Sequence, residues 1–325
     1  MDNMKFRTEI DIAPWGHPIT YDNNIVTLGS CFANAIAERL CENKFKVTAS
    51  PTGILFNPES IALMVELMSS NYIIKDEDII EQDGAYYSYL FHSSISGNSH
   101  KEAKENMQRS IDLGAEALRH ADNIIITLGT AWVYRLCSSG KVVANCHKQP
   151  HSAFRRELLS VGEIVENLER IAACTRAHIV LTVSPIRHLG EGLTDNSLSK
   201  ALLRVAVEEF RLRHKERVTY FPSYEIMLDD LRDYRFYGDD LVHPTKMAVD
   251  YITERFFEAA LSTEAKQKME EVTKIINAAN HRAQNPHSEQ HRLFCQKQLE
   301  AINRIKDIDL QKEREHFEQM LQINL

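Results

Sequence analysis

The amino-acid sequence predicts an α/β protein: a three-layer α/β/α sandwich around a mainly parallel sheet, followed by a C-terminal helical hairpin. Three observations carry this. Short apolar, β-rich runs alternate along the chain with segments whose apolar residues recur at helical spacing, the pattern of βαβ units. Several runs, such as Asn123–Leu128 (NIIITL) and His178–Val183 (HIVLTV), are almost continuously apolar, as in strands buried on both faces. Each run stops at a cluster of glycine, proline and serine, the residues that turn a chain.

The elements follow in order. Residues 24–29 (NIVTLG) form the first strand and end at glycine. From Ala33 to Asn43, residues Ala33, Ile36, Ala37 and Leu40 share one helical face. Phe45–Ser50 is the second strand, stopped by Pro51 and Gly53, and Pro58 opens a helix reaching Met68. Tyr86–Phe91 is a strand in an insertion, and Lys101–His120 is a long amphipathic helix. After the third core strand at Asn123–Leu128, Trp132–Leu136 and Val142–Ala144 flank Ser-Ser-Gly as a hairpin. Val161–Ala173 is helical, His178–Val183 is the fourth strand, Ser197–His214 is helical, Val218–Phe221 is the fifth strand, and Thr245–Leu261 is the closing helix. Beyond this the texture changes to Glu, Gln, Lys and Arg with apolar residues at helical spacing. Ser262–Ala283 and Ser288–Gln322, separated by Asn285-Pro286, make the hairpin, with Ile302, Ile305 and Ile308 on one face. The expected division is an α/β domain over 1–261 and a helical extension over 262–325 that packs on the core or joins two copies as a homodimer.

Composition narrows the function. The chain of 325 residues is 43% hydrophobic and 26% charged, enough for a large core. A formal net charge of −8 argues against general affinity for nucleic acid or anionic membranes. No apolar stretch reaches the roughly 18 residues of a membrane-spanning helix. The first residues (MDNMKFRTEI) alternate charged and apolar side chains, unlike a signal peptide. Cys31, Cys41, Cys137, Cys146, Cys174 and Cys295 are scattered, the usage of a reduced compartment. These features predict a cytoplasmic protein with no cofactor.

In parallel α/β sheets, ligands bind beyond the carboxyl ends of the strands. Here those ends carry Gly-Ser-Cys, Pro-Thr-Gly, Gly-Thr, Ser-Pro-Ile-Arg-His and Pro-Ser-Tyr. In Gly29-Ser30-Cys31-Phe32-Ala33, the side chain in the turn sits at a helix N-terminus, where free N–H groups and the dipole favour a thiolate. Ser30 is either an N-cap or a nucleophile. In Asp240-Leu241-Val242-His243-Pro244, which precedes the last core helix, the aspartate is spaced to orient the imidazole as a general base and acid. Asn145, Cys146, His147 and Lys148 after the hairpin, and Arg187 and His188 after the fourth strand, are candidates to line the pocket. Arg187 would hold a carboxylate or phosphate.

The order and placement of these motifs resemble the SGNH/GDSL hydrolase superfamily and, more narrowly, the GSCFA family, named for residues 29–33. Further stretches similar to that family are PTGILFNP at 51–58, GTAWVY at 129–134, VVANCHKQP at 142–150, TVSPIRH at 182–188, FPSYEIMLDDLRDYRFY at 221–237 and DLVHPT at 240–245. The resemblance covers roughly residues 5–260. Matching glycine to glycine puts the superfamily's nucleophile on Cys31 and its aspartate on Ser30. The resemblance further implies Gly53 as an oxyanion-hole donor. The superfamily's third block, Gly-x-Asn, is here Gly129-Thr130-Ala131. The asparagine is absent, so Asn57, Asn145, His188 or an N–H near Thr130 stands in for it.

The resemblance implies an acyl esterase or acyltransferase acting on a small-molecule or carbohydrate ester, such as an O-acetyl sugar. The alternative is a non-catalytic ligand-binding or interaction protein on the same fold. A zinc site from Cys137, Cys146, His147 and His151 lacks the paired short loops of structural zinc. Neither glycine-rich nucleotide fingerprint follows a strand.

Overall fold

A computed structural model describes residues 7–283 and 285–322; the outer limits of the two expected domains, at residues 1 and 325, lie outside that description. The core is a five-stranded, wholly parallel sheet. It is built from β1 (Asn24–Gly29), β2 (Lys46–Ala49), β5 (Asn123–Leu128), β9 (His178–Val183) and β10 (Val218–Phe221) in the order β10-β9-β5-β1-β2. Two short sheets lie between β2 and β9 in the chain. One is the antiparallel pair β3 (Ile80–Gln82) and β4 (Ala85–Tyr87). The other is β7-β6-β8, formed by β6 (Trp132–Leu136), β7 (Val142–Val143) and β8 (Phe154–Leu158).

Side-chain alternation along the core strands separates two apolar layers. Val26, Leu28, Ile124, Ile126, Leu128, Ile179, Leu181 and Val183 face one side. That side is covered by α2 (Pro58–Ser69), α3 (His100–His120), α4 (Val161–Ala173) and α5 (Leu193–Arg213). Ile25, Ile125, Val180 and Phe221 face the other side, under α1 (Cys31–Glu42) and α7 (Lys246–Ala260). A short α6 (Ser223–Glu225) running into a π-turn at Ile226–Asp230 follows β10 and packs into the same layer. Sheet and helices thus form the expected three layers.

Local chemistry sets the helix starts. Asn57, Ser99, Ser160 and Thr245 each accept a backbone N–H from the first turn of α2, α3, α4 and α7, and Ser160 with Glu163 completes a capping box. Residue Pro58 occupies the first turn of α2, where its missing N–H costs nothing. Among the described residues no helix is long and apolar enough to cross a membrane.

Two local expectations change, and one further strand joins them. The strand expected over Tyr86–Phe91 is only β4, paired with β3, because the chain turns at Ser88 and Phe91 buries itself in the core. The charged segment Phe154–Leu158 is a strand: it pairs antiparallel with β6, and Arg135 on β6 bridges Glu157 and Glu59. The C-terminal hairpin is a set of three helices, α8 (Thr263–Asn280), α9 (Glu289–Arg304) and α10 (Gln311–Gln322). The break between the last two follows from Asp309, which accepts the Gln311 N–H, and from the burial of Ile308 and Leu310. Val272, Ile275, Cys295, Ile302 and Phe317 join the apolar layer under α1, and Lys44 pairs with the buried Glu313 at 2.8 Å.

The turn after β1 is the tightest point of the fold. Gly29 has φ +118°, and a Cβ there would lie 2.1 Å from the Thr127 carbonyl oxygen on β5. The Ser30 N–H donates to that same oxygen at 2.9 Å, and the Gly29 carbonyl accepts the Leu55 N–H at 2.9 Å. Gly29→Ala is therefore expected to lose about 3 kcal/mol or more of stability, read as a lowered urea midpoint, whereas Gly140→Ala, in an open turn, loses far less.

Candidate active site

The chain runs from β1 to β2 on one side and then returns to place β5 on the other side of β1. The carboxyl ends of β1 and β5 therefore border the crevice where such sheets bind ligands. Gly29 ends β1 there, and α1 begins at once. Cys31 is its first helical residue, half-buried, with its side chain at the helix N-terminus.

The loop between the π-turn and α7 brings the histidine to the same place. Its backbone is closed on itself: the Thr245 N–H donates to the Phe236 carbonyl, and the Gly238 N–H donates to the His243 carbonyl, both at 2.8 Å. The Leu241 N–H donates to the Gly238 carbonyl through a residue at φ +56°. Within it, Asp240 accepts three hydrogen bonds: from the His243 ring Nδ1 at 2.6 Å, the His243 N–H at 3.0 Å and the Val242 N–H at 2.9 Å. These donors hold the Asp240 carboxyl down at about 2. The other ring nitrogen, Nε2, lies 3.9 Å from Cys31 Sγ, across 212 residues of chain. Cys31, His243 and Asp240 form one line at the rim of the sheet. Both His243 and Asp240 are half exposed, so water reaches the imidazole.

Burial pushes the Cys31 thiol up, while the N–H groups of Cys31 and Phe32 and the charge of Lys200 pull it down. The net rise leaves a protonated thiol that needs a base beside it. The structure brings Cys31, not Ser30, to His243. Ser30 holds the N-cap position without a side-chain cap bond, is 1% exposed, and its hydroxyl makes no hydrogen bond.

The two expected oxyanion donors are committed elsewhere. The Gly53 N–H closes a turn onto the Ser50 carbonyl at 2.8 Å. The Thr130 N–H donates to the Phe56 carbonyl at 3.0 Å, and its hydroxyl bonds Ser199. Neither points a donor at Cys31. The N–H groups at the start of α1, those of Cys31 and Phe32, favour negative charge on the sulfur instead.

Several expected ligand contacts serve the fold. The Asn57 side chain caps α2 through the Ser60 N–H at 2.8 Å. The Asn145 side-chain oxygen accepts the His147 N–H at 2.8 Å, and the buried His147 ring bonds the Ser88 carbonyl and stacks on Tyr87. Arg187 does not reach outward for an anion. Its guanidinium stacks on Tyr237 at 3.9 Å and donates to the Leu241 carbonyl, while its N–H donates to the Val242 carbonyl. It fastens the loop that carries His243. Among the described residues no three His, Cys, Asp or Glu side chains gather as metal ligands.

His188 does border the site. Its N–H is held by Asn196, and its ring meets Phe56 edge-on. Burial, then the Lys200 and His243 charges, lower its pKa to about 4. Lys200 is the functional neighbour that sequence reasoning missed. It is 1% exposed on α5, and its Nζ donates to the carbonyls of Gly129 and Ser184 at the ends of β5 and β9. The available signal was a lysine on the buried stripe of α5, in step with Leu203 and Val207.

The depressed histidines make stability depend on pH. His178, mainly through burial, is also lowered to about 4. An unfolded histidine takes up its proton near pH 6.5, so between about 6.5 and 4 the unfolded chain gains protons that the folded chain refuses. Stability is then expected to fall across that window as pH drops. Urea midpoints at about pH 7 and about pH 4.5 check this, and His188→Gln is expected to reduce the difference.

The chain matches models of known protein families. The model of the GSCFA family matches residues 24–256, and that of the GSCFA domain protein C-terminal domain matches residues 272–323. No curated protein matches the chain. The first match covers β1 through most of α7, with Cys31, His188, Asp240 and His243 inside it, and the chain belongs to the GSCFA family.

Proposed function

We propose that this protein is an acyl hydrolase or acyltransferase that works through a cysteine nucleophile. The observation that carries the reading is the continuous line of Cys31 Sγ, His243 and Asp240, with contacts of 3.9 and 2.6 Å. A thiol kept protonated by burial, next to an imidazole whose far nitrogen is fixed by a carboxylate, is a nucleophile with its base.

In this mechanism His243 Nε2 takes the thiol proton as Sγ bonds to the ester carbonyl carbon. The carbonyl electron pair moves onto oxygen. That oxyanion lies near the N-terminus of α1, where the Cys31 and Phe32 N–H groups and the helix dipole favour negative charge. The carbon–oxygen bond to the leaving alkoxide then breaks, and His243 returns the proton to it. Water or another hydroxyl attacks the thioester, giving up its proton to His243, and the sulfur leaves and recovers that proton. Asp240 keeps Nδ1 as the donor and so leaves Nε2 free to act as the base. The resemblance of the motif order to SGNH/GDSL hydrolases supports a small O-acyl substrate, such as an acetylated sugar.

Turnover of short-chain aryl esters tests the reading. Cys31→Ala and His243→Ala are each expected to abolish turnover above background, and Asp240→Asn to lower kcat by roughly 10²–10⁴-fold. Ser30→Ala, at a buried position whose hydroxyl makes no hydrogen bond, should retain turnover within about threefold. Full activity in Cys31→Ala would remove the mechanism.

A further inference from the structure

We propose that His188 is a further catalytic residue, whose Nε2–H donates to the oxyanion formed when Cys31 attacks the acyl carbonyl. The inference rests on the acyl-transfer reading above and identifies a side-chain donor for its transition state.

Position is the first argument. His188 follows β9 at the carboxyl edge of the sheet, and its neighbour Arg187 is bonded to Val242 and Leu241 in the loop carrying His243. Its ring therefore sits between that loop and the end of β5. A Cβ built on Gly129 would lie 3.2 Å from His188 Nε2. Gly129 is two residues past Thr127, the register partner of Gly29, so the ring nitrogen packs against the chain at the end of β5, beside the crevice between β1 and β5.

An unspent polar atom is the second argument. His188 Nε2 is sealed from solvent and has no hydrogen-bond partner, although buried polar atoms are nearly always satisfied. The surroundings fix the ring: Phe56 meets it edge-on at 5.6 Å, and Asn196 holds its backbone at 3.0 Å. A partner supplied only during the reaction accounts for an orphan atom so firmly held. The same crevice has lost its two expected backbone donors, since the Gly53 and Thr130 N–H groups are engaged in the fold.

Charge state is the third. The Lys200 ammonium, clasped by the Gly129 and Ser184 carbonyls, lies close enough to oppose a proton on His188, and burial opposes it further. A neutral imidazole carries one N–H and does not compete with His243 for the thiol proton. Gly129 belongs to this device: a side chain there would crowd the ring nitrogen and the Phe56 carbonyl oxygen, 3.0 Å away.

Two reactions of Cys31 separate this role from a structural one. Turnover of p-nitrophenyl acetate passes through an oxyanion; alkylation by iodoacetamide displaces iodide and does not. Both are measured above the Cys31→Ala background in full-length protein. His188→Phe keeps an aromatic ring against Phe56 and lacks the donor. It is expected to lower kcat by about 10²–10³-fold with little change in KM, while the alkylation rate stays within about twofold. His188→Gln, which restores an N–H, should recover most of kcat. His188→Leu serves as a second donor-free variant if the phenylalanine does not fold. Ester turnover within about threefold of the parent in a folded donor-free variant overturns the role of His188 and leaves the nucleophile assignment standing. A parallel fall in alkylation also overturns it, because the effect would then lie in the thiol. If the parent shows no Cys31-dependent turnover, the acyl-transfer reading falls and this inference with it.

Discussion

The site depends on a left-handed turn with no room for a side chain. At Gly29 the chain leaves β1, passes within contact of the Thr127 carbonyl on β5 and starts α1 two residues later, at Cys31. Only glycine accepts both that φ and that proximity. The consequence is chemical as well as geometric. The next side chain, Ser30, is forced inward, and the one after it, Cys31, emerges at the N-terminus of the helix on the rim of the sheet. The Leu55 N–H bonded to the Gly29 carbonyl brings the segment after β2 across the same turn, and Phe56 then receives the N–H groups of Gly129 and Thr130. One strained residue thus aligns the ends of three strands.

The second half of the site is made from weaker parts. An exposed aspartate–histidine pair contributes little by itself, because water competes for both partners. Its orientation comes from the surrounding loop, in which Asp240 takes two backbone N–H groups besides the ring, and from Arg187 clamped on Tyr237 and the Leu241 carbonyl. The thiol opposite is raised by burial, so in the proposed mechanism the pair works through proton transfer at the moment of attack rather than by storing a thiolate. Lys200, behind the crevice, adds positive potential toward both Cys31 and His188.

The core strands, and the placement of Cys31, Asp240 and His243 just beyond them, were legible because they follow from periodicity and from the rule that places ligands at strand carboxyl ends. The segments around β5 and β9 are so uniformly apolar that only burial on both faces explains them. What stayed hidden depends on partners distant in the chain. Whether the Gly53 or Thr130 N–H is free is decided by the Ser50 and Phe56 carbonyls. Arg187 has the chemistry of an anion ligand, yet Tyr237 and Leu241 claim it. Asn57 and Asn145 are side chains equally suited to capping or to binding, and local backbone N–H groups took both. The strand character of Phe154–Leu158 came from pairing with β6, against the charge of its Arg-Arg-Glu centre. The third C-terminal helix appeared because Ile308 and Leu310 are buried between two helices that periodicity alone would have joined.

The central claim is that Cys31 and His243, far apart in sequence, act on one carbonyl. Acid-quenched protein from the first turnovers of p-nitrophenyl acetate, analysed by peptide mass mapping, tests it most directly. The account predicts a single acetyl group on the peptide containing Cys31, labile to neutral hydroxylamine as a thioester and missing when His243 is replaced by alanine. Acetylation of Ser30, or labelling spread over the exposed cysteines regardless of His243, would contradict it.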